Sequence, residues 1–202
     1  MVKSPVYRTI REQVANEIRS DVLSGLLSAG TDLREQTLAK RYDVSRGPIR
    51  DALLQLTQEG LLEAKPNCGV KVGSAASEHI QPLVVELRRQ IELFALDEVF
   101  GTFSEEDIDH LNDLTERLRD ACEKGDFGEI VRHDMSLHRT IIEATGNSDL
   151  LAMWLPIVSR MMLHYTRHGN MMESVQEHAA IVEAIRNKDK NAAINALTKN
   201  IQ

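Results

Sequence analysis

Three side chains in the second half of the chain have the types and spacing to hold a cation. Phe127, Val131, Asp134, His138, Ile141 and Thr145 recur at steps of three and four, which sets Asp134 and His138 one turn apart on an otherwise apolar helical stripe. Further on, Val175, His178, Val182 and Ile185 repeat the pattern around His178. An ionised carboxylate in a helical core is costly unless something cationic compensates it. A carboxylate and two imidazoles aimed at one interior are also a donor set for a divalent metal ion. A plainer arrangement fits the same spacing: Asp134 bonded to His138, with His178 satisfied by a buried water.

A second group of residues points to different chemistry. The segment LREQTLAKRYDVSRGPIRDALLQLTQEGLL, residues 33–62, predicts a short helix, a turn at Asp43-Val44 and a second helix. Leu38 and Ala39 can pack inward from the first. Ser45 is placed to cap the second, and Pro48 is tolerable in a first turn whose N–H groups lack helical partners. Ile49, Ala52, Leu53 and Leu56 form its buried stripe, while Arg46 and Arg50 share another face, where guanidinium groups can reach base edges. Beyond Gly60, Leu61 to Ala64 and Val70 to Val72 read as two strands joined through KPNCG, with Lys65 and Lys71 on their flanks. Val6, Ile10, Val14, Ile18 and Val22, at steps of four, predict a helix across the back of the unit. This is the layout of a winged helix-turn-helix, a reader of double-stranded DNA.

Charge and composition fit that division. The chain has 202 residues and a net charge of −7, room for two domains. Residues 1–73 hold eleven Lys/Arg against nine Asp/Glu, whereas residues 74–202 hold thirteen against twenty-two. Attraction for phosphate must therefore come from local clustering in the first half. Two cysteines, Cys68 and Cys122, fall in different halves, and no apolar run is long enough to span a membrane. No disulfide, secretion or membrane span is expected, and a reducing cytoplasm is the simplest compartment.

The small polar stretch at 74–77 reads as a linker. From 78 to 202 the pattern is helical, broken at Gly101, Gly125, Gly146, Gly169 and Asn187 to Asp189. Capping pairs are expected at Ser104 with Asp107, Asp126 with Glu129 and Ser174 with Glu177. Pro156 should bend the fourth helix of this half. The expected fold is mainly α: a winged helix-turn-helix over 1–73, then an all-α six-helix bundle over 78–202.

Residues 6–73 resemble the GntR family of bacterial transcription regulators. The words that carry the resemblance are VLSGLLSAGTDL and LAKRYDVSRGPIRDALLQLTQEGLLEAKPNCGVKV. Ala29-Gly30 stands where members usually show Pro-Gly, Gly47 where a threonine is common, and Leu54 on a face that is usually more polar. The resemblance implies that Ser45, Arg46 and Arg50 meet the major groove and phosphates, that Cys68-Gly69 approaches the minor groove, and that Lys65 and Lys71 add phosphate contacts.

Residues 77–201 look like the helical effector domain of the FadR subgroup, through VVELRRQIELFAL, HDMSLHRTIIEATGN and EHAAIVEAIRNKDKNAAINAL. In the metal-binding branch of that subgroup an Asp, two His and a further His near the chain end are ligands. Asp134, His138 and His178 match three of them, and Asn200 falls at the fourth. Zinc or nickel is the cation this implies. Arg88 matches an arginine used against a carboxylate effector. Its place at a stripe edge equally allows it to reach solvent or pair with Glu92. Arg160 and His164 are further candidates for that cavity, and His79, His110, His133 and His168 read as surface residues.

The resemblance thus implies a cytoplasmic homodimer that binds a DNA operator, commonly as a repressor, under control of a small organic acid. Two other readings stay open on the sequence: a metal-dependent hydrolase, and a purely structural dimerisation bundle joined to a DNA-binding head.

Overall fold

The computed structural model describes residues 9–65, 69–74, 77–163 and 171–201. The chain divides into two compact units, Met1–Ser74 and Ala75–Gln202. No helix among the described residues is long and apolar enough to cross a membrane.

The first unit is built on α1 (Ile10–Leu23), α2 (Glu35–Arg41) and α3 (Arg46–Gln58). Thr9 and Glu12 cap the start of α1 reciprocally, each side chain accepting from the other's backbone N–H. Val14, Ile18 and Val22 of its stripe are buried, whereas Ile10 is exposed. The expected position Val6 lies outside the described residues. Between α2 and α3, Asp43 takes a left-handed φ of 52°, a conformation that Asp tolerates better than most residues. Ser45 occupies the N-cap of α3, but its hydroxyl makes no capping bond. Ile49, Ala52, Leu53 and Leu56 are all buried, as their spacing requires.

The wing is a sheet of three strands where the sequence suggests two. β2 (Leu62–Lys65) pairs antiparallel with β3 (Gly69–Val72), and β3 pairs on its other side with the two-residue β1 (Asp32–Leu33). The tip at 66–68, with Cys68, lies outside the described residues. At the end of the sheet, Gly73 donates its N–H to the Leu61 carbonyl at 2.9 Å. A Cβ there would stand 2.8 Å from that oxygen, so only glycine fits.

One buried ion pair fastens α1 to the end of α3. Arg19 Nη2 lies 2.7 Å from Glu59 Oε2, with both side chains nearly buried. The hydroxyl of Tyr42, after α2, donates to Asp21 of α1 at 2.7 Å.

The second unit contains α4 (Gln81–Val99), α5 (Glu105–Lys124), α6 (Phe127–Ala144), α7 (Ser148–Met162), α8 (Met171–Arg186) and α9 (Lys190–Asn200). Ser104 and Asp126 cap α5 and α6 as their spacing predicts. Ser174 does not cap α8, because that helix already begins at Met171; Ser174 is a buried residue inside it. Pro156 sits within α7, and Gly169 lies outside the described residues. The α6 helix packs on α4, α5 and α7, so it is buried over a broad arc. That is why His133, expected at the surface, is only 4% exposed. His79 and His110 are exposed, and His168 lies outside the described residues.

Removing the carboxylate of Glu59 leaves the buried Arg19 guanidinium without its charge partner, a change that typically costs about 3–5 kcal/mol. Glu59→Ala should lower the urea midpoint of the first unit accordingly. An unchanged midpoint would mean that the pair contributes nothing to holding α1 on α3.

Candidate functional site

Two sites emerge, one in each unit. In the first, a groove of about 950 Å³ runs between α2, α3 and the wing, bordered by Arg46, Arg50, Lys65 and Gly69. The guanidinium groups of Arg46 and Arg50 project from the exposed face of α3, 63% and 66% exposed. Ser45 is exposed at the head of the helix. Lys71 does not line the groove. It lies on β3, in register with Asp32 and Glu63, and pairs with Glu63 at 2.7 Å, on the same face of the sheet as Lys65. The groove adds Arg34 and Lys40, two cations that a reading of the recognition helix alone passes over.

Each basic residue expected to meet DNA has a carboxylate beside it. Lys65 pairs with Asp32 at 2.7 Å, and Glu35 takes both Arg46 at 2.9 Å and Arg50 at 3.0 Å. The guanidinium of Arg50, and then that of Arg46, hold the Glu35 carboxyl below its ordinary pKa. Exposed pairs of this kind contribute roughly 0–1 kcal/mol each. At the Lys65–Asp32 contact a phosphate can therefore replace the carboxylate at little cost.

The second site lies inside the helical unit. Asp134 and His138 of α6 meet His178 of α8, all three buried and with ligand atoms within 4.8 Å of one another. The Nε2 atoms of His138 and His178 are 3.2 Å apart. Asp134 Oδ1 lies 3.4 Å from His178 Nε2, and Oδ2 lies 4.0 Å from His138 Nε2.

Hydrogen bonding on the far side of each ring fixes which nitrogen carries the proton. His138 Nδ1 is 2.6 Å from Glu92 Oε2, and His178 Nδ1 is 2.7 Å from the Ser174 carbonyl oxygen. Both partners only accept, Glu92 being ionised, so each Nδ1 must donate. In the neutral rings each Nε2 then presents a lone pair, and the two lone pairs face each other. That contact is repulsive unless something positive lies between them. A buried Asp134 Oδ2 with no hydrogen-bond partner among the described residues adds to the demand. Two nitrogens bound to one tetrahedral zinc stand roughly 3.3 Å apart, so the donor set and its spacing fit a divalent metal ion.

Asn200 does not join these three. Its Nδ2 lies 3.3 Å from Glu177 Oε2 and 3.5 Å from His178 Nδ1, the ring nitrogen turned away from the cluster. Arg160 is exposed, because the buried face of α7 runs through Leu150, Trp154, Val158 and Met161. His164 lies outside the described residues.

The residue that spacing could not reveal is Glu92, 1% exposed on α4. Its Oε1 accepts from Arg88 Nε and from Trp154 Nε1, both at 2.7 Å, while Oε2 takes His138 Nδ1. Burial alone would raise its pKa, but the Arg88 guanidinium and the hydrogen bond from His138 outweigh that effect and hold it at about 2. Arg88 is thus 3% exposed and paired with Glu92, the second of the two arrangements its stripe-edge position allows. The ELRRQIE spacing suggested only an i,i+4 pair. Convergence of three helices on the same carboxylate has no signature in the sequence.

A winged helix presenting arginines beside a groove, followed by a helical domain with a closed polar centre, defines a DNA-binding regulator that carries a separate sensing or assembly domain. Comparison with known proteins agrees. Residues 10–72 match the model for bacterial regulatory proteins of the gntR family, and residues 83–202 match the FCD domain. The chain belongs to the GntR family of transcription regulators, in its FCD-containing group, and is not an enzyme.

Among its relatives, the gluconate operon transcriptional repressor of Bacillus licheniformis is 26% identical over 197 residues, covering 93% of this chain and 80% of the relative. The regulator McbR of Escherichia coli (strain K12) is 25% identical over 196 residues, covering 94% and 88%. The solved structure of E. coli McbR/YncC superposes with a TM-score of 0.80 at 25% identity, covering 96% of this chain and 94% of that one. A GntR regulator from Rhodococcus sp. RHA1 shares the fold at a TM-score of 0.72 and 17% identity, covering 95% and 93%.

Burial also sets a pH dependence. It depresses His178 from 6.5 to about 4, so between those values the unfolded chain binds a proton that the folded one refuses. Stability contributed by the neutral ring is present above pH 6.5 and is lost as pH falls toward about 4. Chelator-treated protein should show a denaturant midpoint that falls across this window, and His178→Gln should flatten the decline. An equal slope in the variant would show that another group is responsible.

Proposed function

We propose that this chain is a cytoplasmic, homodimeric repressor whose helical domain holds one divalent cation and responds to a small carboxylate. The observation that carries the reading is the 3.2 Å approach of His138 and His178 through their Nε2 atoms beside the buried Asp134. Asp134, His138 and His178 would hold the ion, most simply zinc or nickel, and water or the effector's carboxylate would complete the set in place of Asn200. Bound there, the cation supplies a Lewis-acid centre to which an organic acid can attach. Glu92 orients His138 from behind, as carboxylate partners of metal-ligating histidines do. Arg88, packed against the same carboxylate, brings positive charge to the neighbourhood in which an anionic effector would sit.

On the DNA side, Ser45, Arg46 and Arg50 would face the major groove, with Gly69 at the wing and Lys65 and Lys71 adding phosphate contacts. One recognition helix reads few base pairs, so paired half-sites and a dimer follow. The α4 helix supports this with an apolar stripe facing solvent: Ile80, Leu83, Leu87 and Phe94 share a face and are 38–59% exposed. A second copy of the same stripe is the simplest cover for it. The ligand would act by shifting the population of dimer geometries that match an operator. The gluconate operon relative is named a repressor, which favours repression here.

Incubated with zinc, nickel or manganese, the purified protein should retain about one ion per chain, with occupancy falling as pH drops toward about 4, where the buried His178 takes up a proton. His138→Ala and His178→Ala should lose the ion and keep DNA binding. Absence of any retained metal, together with a melting temperature indifferent to chelator, would leave the cluster a hydrogen-bonded core. In sedimentation, Leu83→Glu with Leu87→Glu should convert a dimer to a monomer. A wild-type monomer at micromolar concentration, with and without DNA, would rule out the dimer.

A further inference from the structure

We propose that Glu35 is a positioning residue for DNA reading, its single carboxylate fixing Arg46 and Arg50 so that their outer N–H groups face a base pair. The proposal rests on the assignment of those two arginines as readers. Glu35 opens α2, whereas both arginines come from α3, so the contact crosses the helix-turn-helix. Its Oε1 accepts from Arg50 Nε at 3.0 Å, and its Oε2 accepts from Arg50 Nη2 at 3.2 Å and Arg46 Nη2 at 2.9 Å.

The way Arg50 is held is the informative detail. A guanidinium has two forked edges, one of Nε and Nη2 and one of Nη1 and Nη2, since each Nη carries two hydrogens. Glu35 engages the side edge. The end edge still points away from the carboxylate, and it is the fork that spans O6 and N7 of a guanine. The exposures agree: the carboxylate is 26% exposed beneath arginines that are 63% and 66% exposed. Long side chains anchored in this way have already lost the rotamer freedom that binding would otherwise remove.

Charge argues in the same direction. A carboxylate on a face that must approach phosphates repels them and weakens sequence-independent affinity. Its placement makes sense if it trades general attraction for selectivity. Unrestrained, the two arginines could settle on the nearest phosphates and read nothing.

The test begins with a duplex selected by the wild-type protein from a randomised library, compared with a duplex of random sequence. Glu35→Gln should bind the random duplex at least as tightly as the wild type, while its preference for the selected duplex falls roughly tenfold, within the range that one bidentate base contact supplies. Glu35→Asp keeps the charge but is too short to bridge both guanidinium groups, and it should lose preference too, with an unchanged melting temperature. In the Arg46→Ala/Arg50→Ala background, Glu35→Gln should change preference no further. The proposal fails if Glu35→Gln keeps the wild-type preference, or lowers it equally in the double-alanine background. Full preference in the double-alanine protein overturns the reader assignment first, and this proposal with it. Loss there but not in Glu35→Gln overturns the proposal alone.

Discussion

The helical domain depends on one ionised carboxylate buried where water cannot reach it. Glu92 is tolerated in the core because Arg88, Trp154 and His138 donate to it from α4, α7 and α6. The same bonds set the proton on Nδ1 of His138 and turn Nε2 toward His178. A constraint that begins as a problem of charge solvation thus ends by dictating how the imidazoles face each other. Helix packing and tautomer become one arrangement.

Much of this was legible in the sequence, for reasons that are local. Stripes at steps of three and four located α1, α3 and α6, and Asp134, His138 and His178 stood out because they interrupt apolar faces. What was not legible depends on distant chain segments. The two-residue β1 is too short to show a period, and it exists because β3 offers it an edge. His133 looked like a surface residue because a single stripe does not reveal that α6 packs against several other helices. Ser174 with Glu177 satisfied the rule for a helix start, but the helix had begun a turn earlier. Asn200 shares a stripe with Ala193 and Leu197, yet its amide turns to Glu177, a choice made by how α9 lies on α8.

The two units handle charge in opposite ways. In the helical domain a carboxylate is enclosed by donors and cannot exchange them without opening the core. On the surface of the first unit Asp32 and Glu63 each pair with a lysine and Glu35 with two arginines, all in the open, where salt screens the pairs. The near balance of eleven basic and nine acidic residues in 1–73 is consistent with a head that does not rely on bulk attraction.

The close approach at Gly73 has a mechanical consequence. The chain leaves the wing through a backbone contact to Leu61, the residue after the turn that ends α3, with no room for a side chain between them. A load on β3 is therefore borne directly by the backbone at Gly73 and Leu61, with no side chain between them to yield.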